Sequence, residues 1–394
     1  MTDPTSICIF EDDRITNFFP LTLTRAVFEL RCGAWTIMER TRRAFPKAVL
    51  YLQCRPELAA VVTERYPGTR VNQTPPPDCL FINGSVLVDE NFVSTITSSD
   101  DTTWSHDDVT VAFWNGLTLK KKPIDCRRAR YPWQLIQWNA EFIRRDHGKA
   151  RTPSPVPPGV YMVNSALITI GDNVAIKPGV VLDASGGPIL IGNDVTLMAH
   201  AAIEGPCVIG ERSVIKMGAK IYGGTTIGPM CKVGGEVEGS ILQGYSNKQH
   251  DGFLGHSYIG EWCNLGADTN TSDLKNNYTT VRVPVNGREI DTGSLFVGLI
   301  MGDHSKTGIN TMFNTGTSCG VACNVFGSGF PPRDIPSFSW IDGSSVAEHR
   351  FDKALDVART VMRRRNVDLS AAYEQLFQTV FDWTAPHRGD RMPA

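Results

Sequence analysis

Four of the eight histidines, His200, His250, His256 and His304, are the side chains best suited to chemistry at neutral pH. An imidazole titrates close to neutrality, so one held against a substrate can take its proton in the transition state. Three imidazoles brought together would do something else: bind zinc and activate a water. His304 has a further distinction. It lies in the polar run Asp303-His304-Ser305-Lys306, between aliphatic stretches, and reads as part of a ligand-facing loop.

Which chemistry is open depends on the elements that hold these residues. From Ile191 to Val233 every sixth residue is a branched aliphatic: Ile191, Leu197, Ile203, Ile209, Ile215, Ile221, Ile227, Val233. A helix repeats at 3.6 and a strand at 2, so neither alone sustains a period of six. A left-handed parallel β-helix does, with one hexapeptide per face and one aliphatic per hexapeptide pointing into the shaft. Upstream, Ile170, Ile176 and Leu182 keep the spacing until Ser185-Gly186-Gly187-Pro188 adds three residues. Downstream, two extra residues shift the expected register to Ile241, and Phe253, Ile259 and Leu265 continue it. A loop from Asp268 to Asn277 breaks out, and Met301, Thr307, Phe313, Cys319 and Val325 resume the repeat. Breaks in a β-helix favour ligand sites, so residues 235–290 are the place to look. The same geometry weakens the zinc reading. Six residues carry His256 to the next face from His250, and no close histidine pair remains.

The expected organisation is an α/β domain over residues 1–130, a helical joint with a Pro-rich linker over 131–158, the β-helix over 159–335 and a helical tail over 336–394. In the first region Ile7–Phe10, Ala48–Gln53 and Cys79–Ile82 read as strands, and Thr36–Ala44 and Pro56–Arg65 as helices. Their alternation predicts a parallel sheet with crossover helices. Pro132 to Arg145 reads as helix, and Arg151 to Pro158 as linker. Phe330-Pro331-Pro332 is expected to end the coil. Val346–Arg365 and Leu369–Trp383 are amphipathic helices that pack on the coil or a neighbouring subunit. A net charge of -2 gives no bias toward nucleic acid. No signal peptide is expected, no apolar run is long enough to span a membrane, and the ten cysteines lack metal spacing. A soluble cytoplasmic protein with reduced thiols is the expectation.

Two stretches carry a family likeness. His250-Asp251-Gly252-Phe253-Leu254-Gly255-His256-Ser257-Tyr258-Ile259-Gly260, continued by Asn264-Leu265-Gly266-Ala267, resembles the acetyltransferase half of bacterial bifunctional enzymes. Those enzymes acetylate glucosamine-1-phosphate and then uridylylate it. His250 and Asn264 fall at that family's spacing. With Pro20-Leu21-Thr22-Leu23-Thr24-Arg25 and Gly302–Thr311, the whole chain is similar to a divergent branch of sugar nucleotidyltransferases. The resemblance implies His250 as general base, acetyl-CoA as acyl donor against the backbone of Gly266 and Ala267, and a sugar-phosphate substrate near Asn264, Tyr278, Lys248, His256, His304 and Lys306. It also implies a homotrimer with the acyl site between subunits, and no nucleic-acid or membrane partner.

The nucleotidyl-transfer half departs from the family. The loop after the first strand, Glu11 to Phe19, has no glycine to cradle phosphates. The family's lysine falls on Val27, and Ser85 stands where a carboxylate would hold Mg²⁺. Arg25 and Arg31 are the cations left to bind a sugar phosphate or nucleotide. The implied function is acyl transfer to a hexosamine phosphate, with a degenerate nucleotidyltransferase lobe. The rival reading is a non-catalytic sugar-nucleotide sensor or scaffold.

Overall fold

The computed structural model describes residues 4–98, 102–116, 120–148, 157–343 and 345–389, so most of the expected Pro-rich linker lies outside the described residues. The chain opens with strands β1 (Ser6–Phe10), β2 (Val49–Gln53), β3 (Arg70–Val71) and β4 (Leu80–Asn83), parallel in the order β3-β2-β1-β4. Helices α1 (Ile37–Ala44) and α2 (Ala59–Arg65) lie on the connections between them. α1 starts where Thr36 and Glu39 satisfy each other's backbone N–H groups, a capping box.

The expectation of a wholly parallel sheet fails beyond β4. Strands β5 (Thr102–His106), β6 (Val109–Trp114) and β7 (Lys120–Pro123) extend it as β4-β6-β5-β7, with β6 antiparallel to both neighbours. The cause is local. Asp107 and Asp108 have φ of +47° and +60° and reverse the chain in two residues, the geometry of a hairpin turn. A parallel return needs a dozen residues or more.

Helix α3 (Glu90–Ile96) follows β4, and helix α4 (Pro132–Asp146) forms the joint. From Tyr161 the chain winds a three-faced parallel β-helix. The first face runs from Ile168–Ile170 to Asp334–Ile335, the second from Ala175–Ile176 to Ser339–Asp342, and the third from Tyr161–Val163 to Met312–Phe313. All eight aliphatics of the period-six run are buried in one shaft cluster. Left-handed residues turn the corner between first and second faces: Asp194, Arg212, Met230, Tyr245, Trp262 and His304 have φ between +54° and +62°.

Three register expectations are corrected. The inward residues after Val233 are Val237, Leu242 and Leu254, not Ile241 and Phe253. Shortened connections displace the period, and Ile241 turns outward beneath the first domain. The coil does not stop at Phe330-Pro331-Pro332. Asp334–Ile335 pairs with Ser318–Cys319, and Trp340–Ile341 with Asn324–Val325, so the prolines occupy only a loop. Residues Ser345–Glu348 form a strand antiparallel to Ser339–Asp342, and helix α5 (Phe351–Arg363) starts later than its apolar stripe predicts. Helix α6 (Ala371–Trp383) is capped by Ser370.

The pieces share cores rather than sitting as separate beads. Ile241, Tyr258 and Ile300 on the first face pack with Phe18, Leu30 and Trp133. Asn139 of α4 accepts from Gly33 N–H (2.7 Å) and donates to Gly224 O (2.7 Å), tying the joint to the coil. α5 and α6 pack Leu355, Tyr373 and Phe377 on Val321 and Phe338. No helix among the described residues is long and apolar enough to cross a membrane.

Candidate functional site

The residues nominated from the sequence divide among three corners of the prism. Lys248, His250, Gly266 and Ala267 share the corner between second and third faces, with Asn264 on the adjoining second face. His250 is exposed there. Beneath it, Lys248 occupies an inward position, stacked on Val233 and 1% exposed. Its ammonium donates to Gly234 O (3.1 Å) and His250 O (2.8 Å), which makes it a brace for the His250 turn and not an open substrate ligand. The N–H of Gly266 is spent on Thr307 Oγ1 (2.9 Å), so it is not free for a thioester oxygen. Asn264 Oδ1 lies 3.4 Å from Asn247 Nδ2, and Arg365 from the tail donates to Asn247 Oδ1 at 2.7 Å. Sequence periodicity gave no sign of Arg365, because this residue, just past α5, lies 118 residues along the chain from Asn247.

Burial pushes the Lys248 ammonium down to about 8 from an ordinary 10.5, against the pull of Asp251 and Asp268. Between those two pH values the unfolded chain binds the extra proton, so stability rises with pH across that window, and the penalty is full below pH 8. Lys248→Met is therefore expected to stabilise the fold by about 1–3 kcal/mol at pH 7. The gain shrinks toward pH 10.5. Thermal melts at both pH values check this, and an equal effect at both would contradict it.

His256 lies at a different corner, between third and first faces. Its Nδ1 is 2.8 Å from Asp273 Oδ2, and its ring lies 5.1 Å from that of Phe296. A carboxylate on one imidazole nitrogen fixes the tautomer and leaves the other nitrogen to act as a base. Asp273 and Phe296 belong to the excursion that leaves the coil after Asn270–Thr271 and carries the hairpin Arg282–Val285/Arg288–Asp291. Tyr278 is on the same excursion, 71% exposed.

The remaining nominations are turned inward. His304, expected on a ligand-facing loop, is 3% exposed under α6, with Nε2 3.0 Å from Tyr373 Oη. Burial holds its pKa well below the usual value, with Lys306 adding to the effect. Lys306 donates to His304 O (2.8 Å), and burial pushes it down to about 8. Arg25 is 2% exposed and pairs with Asp303 and with Glu261 (3.2 Å) across the domain boundary. Arg31 hands its backbone N–H to Tyr258 Oη (2.7 Å) and its Nε to Gln243 O (3.3 Å). Both arginines face the coil because their loop is the part of the first domain that docks on it, so neither offers a cation to a ligand of that domain. His250, His256 and His304 stand at three separate corners, and among the described residues no group of three His, Cys, Asp or Glu lies together to hold a metal.

The C-terminal ends of parallel β1 and β4 form the crevice where α/β sheets bind ligands. The residues there do not fit Mg²⁺. Asp12 accepts from Arg14 N–H (2.9 Å) and from Asn83 Nδ2 (2.8 Å), and Asn83 Oδ1 accepts from Ser85 Oγ (2.7 Å). A lone carboxylate already satisfied by N–H donors, beside an amide and a hydroxyl, is a poor magnesium cage. Sequence reasoning missed the cations beside it, Arg14, Arg128 and Arg130, which line a pocket of about 190 Å³. A wider groove of about 740 Å³ between α1, α3 and α4 is crossed by ion pairs, Arg40–Asp146 and Arg145–Asp89, and converges on no reactive group.

With the geometry in place, comparison with known proteins separates the two halves. Residues 7–154 match the family model described as sugar nucleotidyl transferase, and residues 188–223 match the bacterial transferase hexapeptide model. The chain is similar to the bifunctional protein GlmU of Methanocaldococcus jannaschii, 34% identical over 106 residues, 27% of this chain and 26% of that one. It is also similar to GlmU of Corynebacterium glutamicum, 31% identical over 205 residues, 45% and 40% of the two chains. A third relative is the bifunctional sugar-1-phosphate nucleotidylyltransferase/acetyltransferase of Sulfurisphaera tokodaii, 31% identical over 100 residues, 25% of each chain. The chain thus spans between a quarter and less than half the length of these relatives. A solved UDP-N-acetylglucosamine acyltransferase from Campylobacter jejuni aligns over 57% of this chain and 96% of its own, at 14% identity and a TM-score of 0.27.

Proposed function

We propose that this chain is a divergent bifunctional-type transferase of sugar-nucleotide biosynthesis, which moves an acyl group from acyl-CoA to a hexosamine phosphate on its β-helix. The observation that carries the reading is an exposed imidazole, His250, on a corner ordered from below by the buried Lys248, next to a polar ladder of Asn264, Asn247 and Arg365. His250 takes the proton from the attacking ammonium. The charge growing on the thioester oxygen needs donors, for which the amides of Asn264 and Asn247 are nearest in sequence and fold. Acyl-CoA supplies the activated acyl group, and the neighbouring cations Lys216, Lys232, Arg364 and Arg365 suit its phosphates. Burial and these like charges together hold Lys232 below its usual value. The His256–Asp273 pair supports a second reading, in which the base sits at the other corner. The setting is cytoplasmic.

The test is release of free thiol when the protein is incubated with acetyl-CoA and a panel of hexosamine phosphates. Saturable release that depends on the sugar supports the enzyme. Binding without turnover supports the sensor or scaffold.

A homotrimer belongs to the same proposal. The first domain and α4 cover the first face, and the tail reaches the second, whereas the third face keeps Tyr161, Tyr222 and Met312 exposed, and Met217 and Ile309 flank His250 uncovered. Closed cyclic symmetry buries such a face and brings a neighbour to the His250 corner. Light scattering at micromolar concentration is expected to give three chains per particle, and a monomer would count against a shared site.

A further inference from the structure

We propose that the pocket at the ends of β1 and β4 binds a phosphomonoester on arginine alone, without a divalent metal. The proposal goes beyond acyl transfer, and its test reads a different half of the chain. Arg128 is 3% exposed, yet its Nε and Nη2 have no hydrogen-bond partner among the described residues. These two nitrogens share one edge of the guanidinium, a fork spaced for two oxygens of one phosphate. A guanidinium cannot shed its proton to relieve burial, so an unpaired one marks a place where an anion belongs.

The surroundings agree. Arg14 and Arg130 line the same pocket with Asp12, Asn17 and Ser85. Arg130 is paired with Asp107, whereas the guanidinium of Arg14 is exposed beside Arg128. The one facing carboxylate, Asp12, is occupied by Asn83 and a backbone N–H. Asp12 tempers the field of Arg14 and Arg128, and Asp107 that of Arg130.

Size and charge choose the ligand class. About 190 Å³ falls below the roughly 300–1,000 Å³ of ordinary small-molecule sites, which suits a phosphate on a small body and not a nucleoside triphosphate with its sugar partner. The adjoining groove is lined by Glu11, Asp12 and Arg55, and Arg55 is paired with Glu11 at 3.4 Å, so the groove adds no net positive charge for further phosphates. A protein that binds hexosamine phosphates at its coil thereby gains a second, separate site for the same functional group.

The experiment is calorimetric titration of the full chain with glucosamine-1-phosphate, inorganic phosphate and UTP, each with Mg²⁺ and with EDTA. Glucosamine-1-phosphate is expected to bind equally with and without metal. Arg128→Met and Arg14→Ala should each weaken one of the two glucosamine-1-phosphate sites tenfold or more, the other being that of the coil, while leaving acetyl transfer unchanged. Arg14 is on the surface, so its variant keeps the test valid if Arg128→Met fails to fold. Inorganic phosphate binding as tightly as the sugar phosphate would support the anion site and identify free phosphate as its ligand. Three results would overturn the proposal: no heat from either phosphate at millimolar concentration, binding that requires Mg²⁺, or affinities indifferent to both substitutions. Magnesium-dependent pyrophosphate release from UTP at about 1 s⁻¹ or faster would overturn it too, by showing a working metal–nucleotide site.

Discussion

His250→Ala is expected to lower acyl transfer by about 10²–10⁴ and to leave the fold intact, the usual cost of losing a positioned general base. The two halves of that expectation come from different observations. The side chain is exposed, and its turn is held by backbone and by Lys248, so its removal leaves no cavity and no orphaned partner. The rate falls because an ammonium cannot attack a thioester until it is deprotonated. The drop should appear in kcat with little change in KM for acyl-CoA, because the imidazole acts on the proton of the sugar's ammonium and not on the CoA phosphates. Thiol release measured on His250→Ala and His256→Ala together decides the base. Wild-type turnover in the first with loss in the second would move the chemistry to the His256–Asp273 corner and sink the assignment to His250.

The coil was legible because its period is enforced by packing: each inward position meets the same shaft wall, so Ile191 through Val233 could not drift. Legibility faded where connections shortened. Ile241 and Phe253 looked inward by count, but a side chain one residue along, Leu242 or Leu254, takes the shaft when a turn loses a residue. Two turns carried signals that periodicity ignored. Asp107-Asp108 between alternating strands marks a tight hairpin, and Asn286-Gly287 joins the antiparallel strands of the excursion, with φ of +49° and +74°. The site was harder to read. His250 and Asn264 were nominated because their spacing along one element matches the motif of the family the chain resembles. Asp273 beside His256, Arg365 beside Asn247 and Arg128 beside Asp12 come from other coils, the tail and the far side of the first domain. No local pattern encodes such meetings, because tertiary packing alone creates them.

Arg25→Ala is expected to destabilise the protein by about 3–5 kcal/mol, the range for breaking a buried ion pair by removing one partner. From sequence this arginine looked like a ligand for phosphate. In the structure it crosses from the first domain to the coil and meets Asp303 and Glu261, while Thr24 Oγ1 donates to the same Asp303 oxygen at 2.6 Å. Burial alone would depress the guanidinium, but Asp303 and Glu261 outweigh it and hold it well above its ordinary value. Asp303 is fully buried, so removing the arginine strands a carboxylate at the seam between the two halves. Urea denaturation followed by fluorescence reads the loss. The companion variant Arg25→Met with Asp303→Leu removes both charges and should recover much of it, because a buried pair is costly to break and cheap to replace by apolar groups of similar volume. Thr24 then loses its acceptor, which keeps the recovery partial. If Arg25→Ala melts like the wild type yet fails to bind glucosamine-1-phosphate, the arginine serves a ligand after all. If it melts early, with phosphate affinity unchanged in the fraction that remains folded, the residue is a clamp between domains, and the phosphate chemistry of the first domain belongs to Arg128.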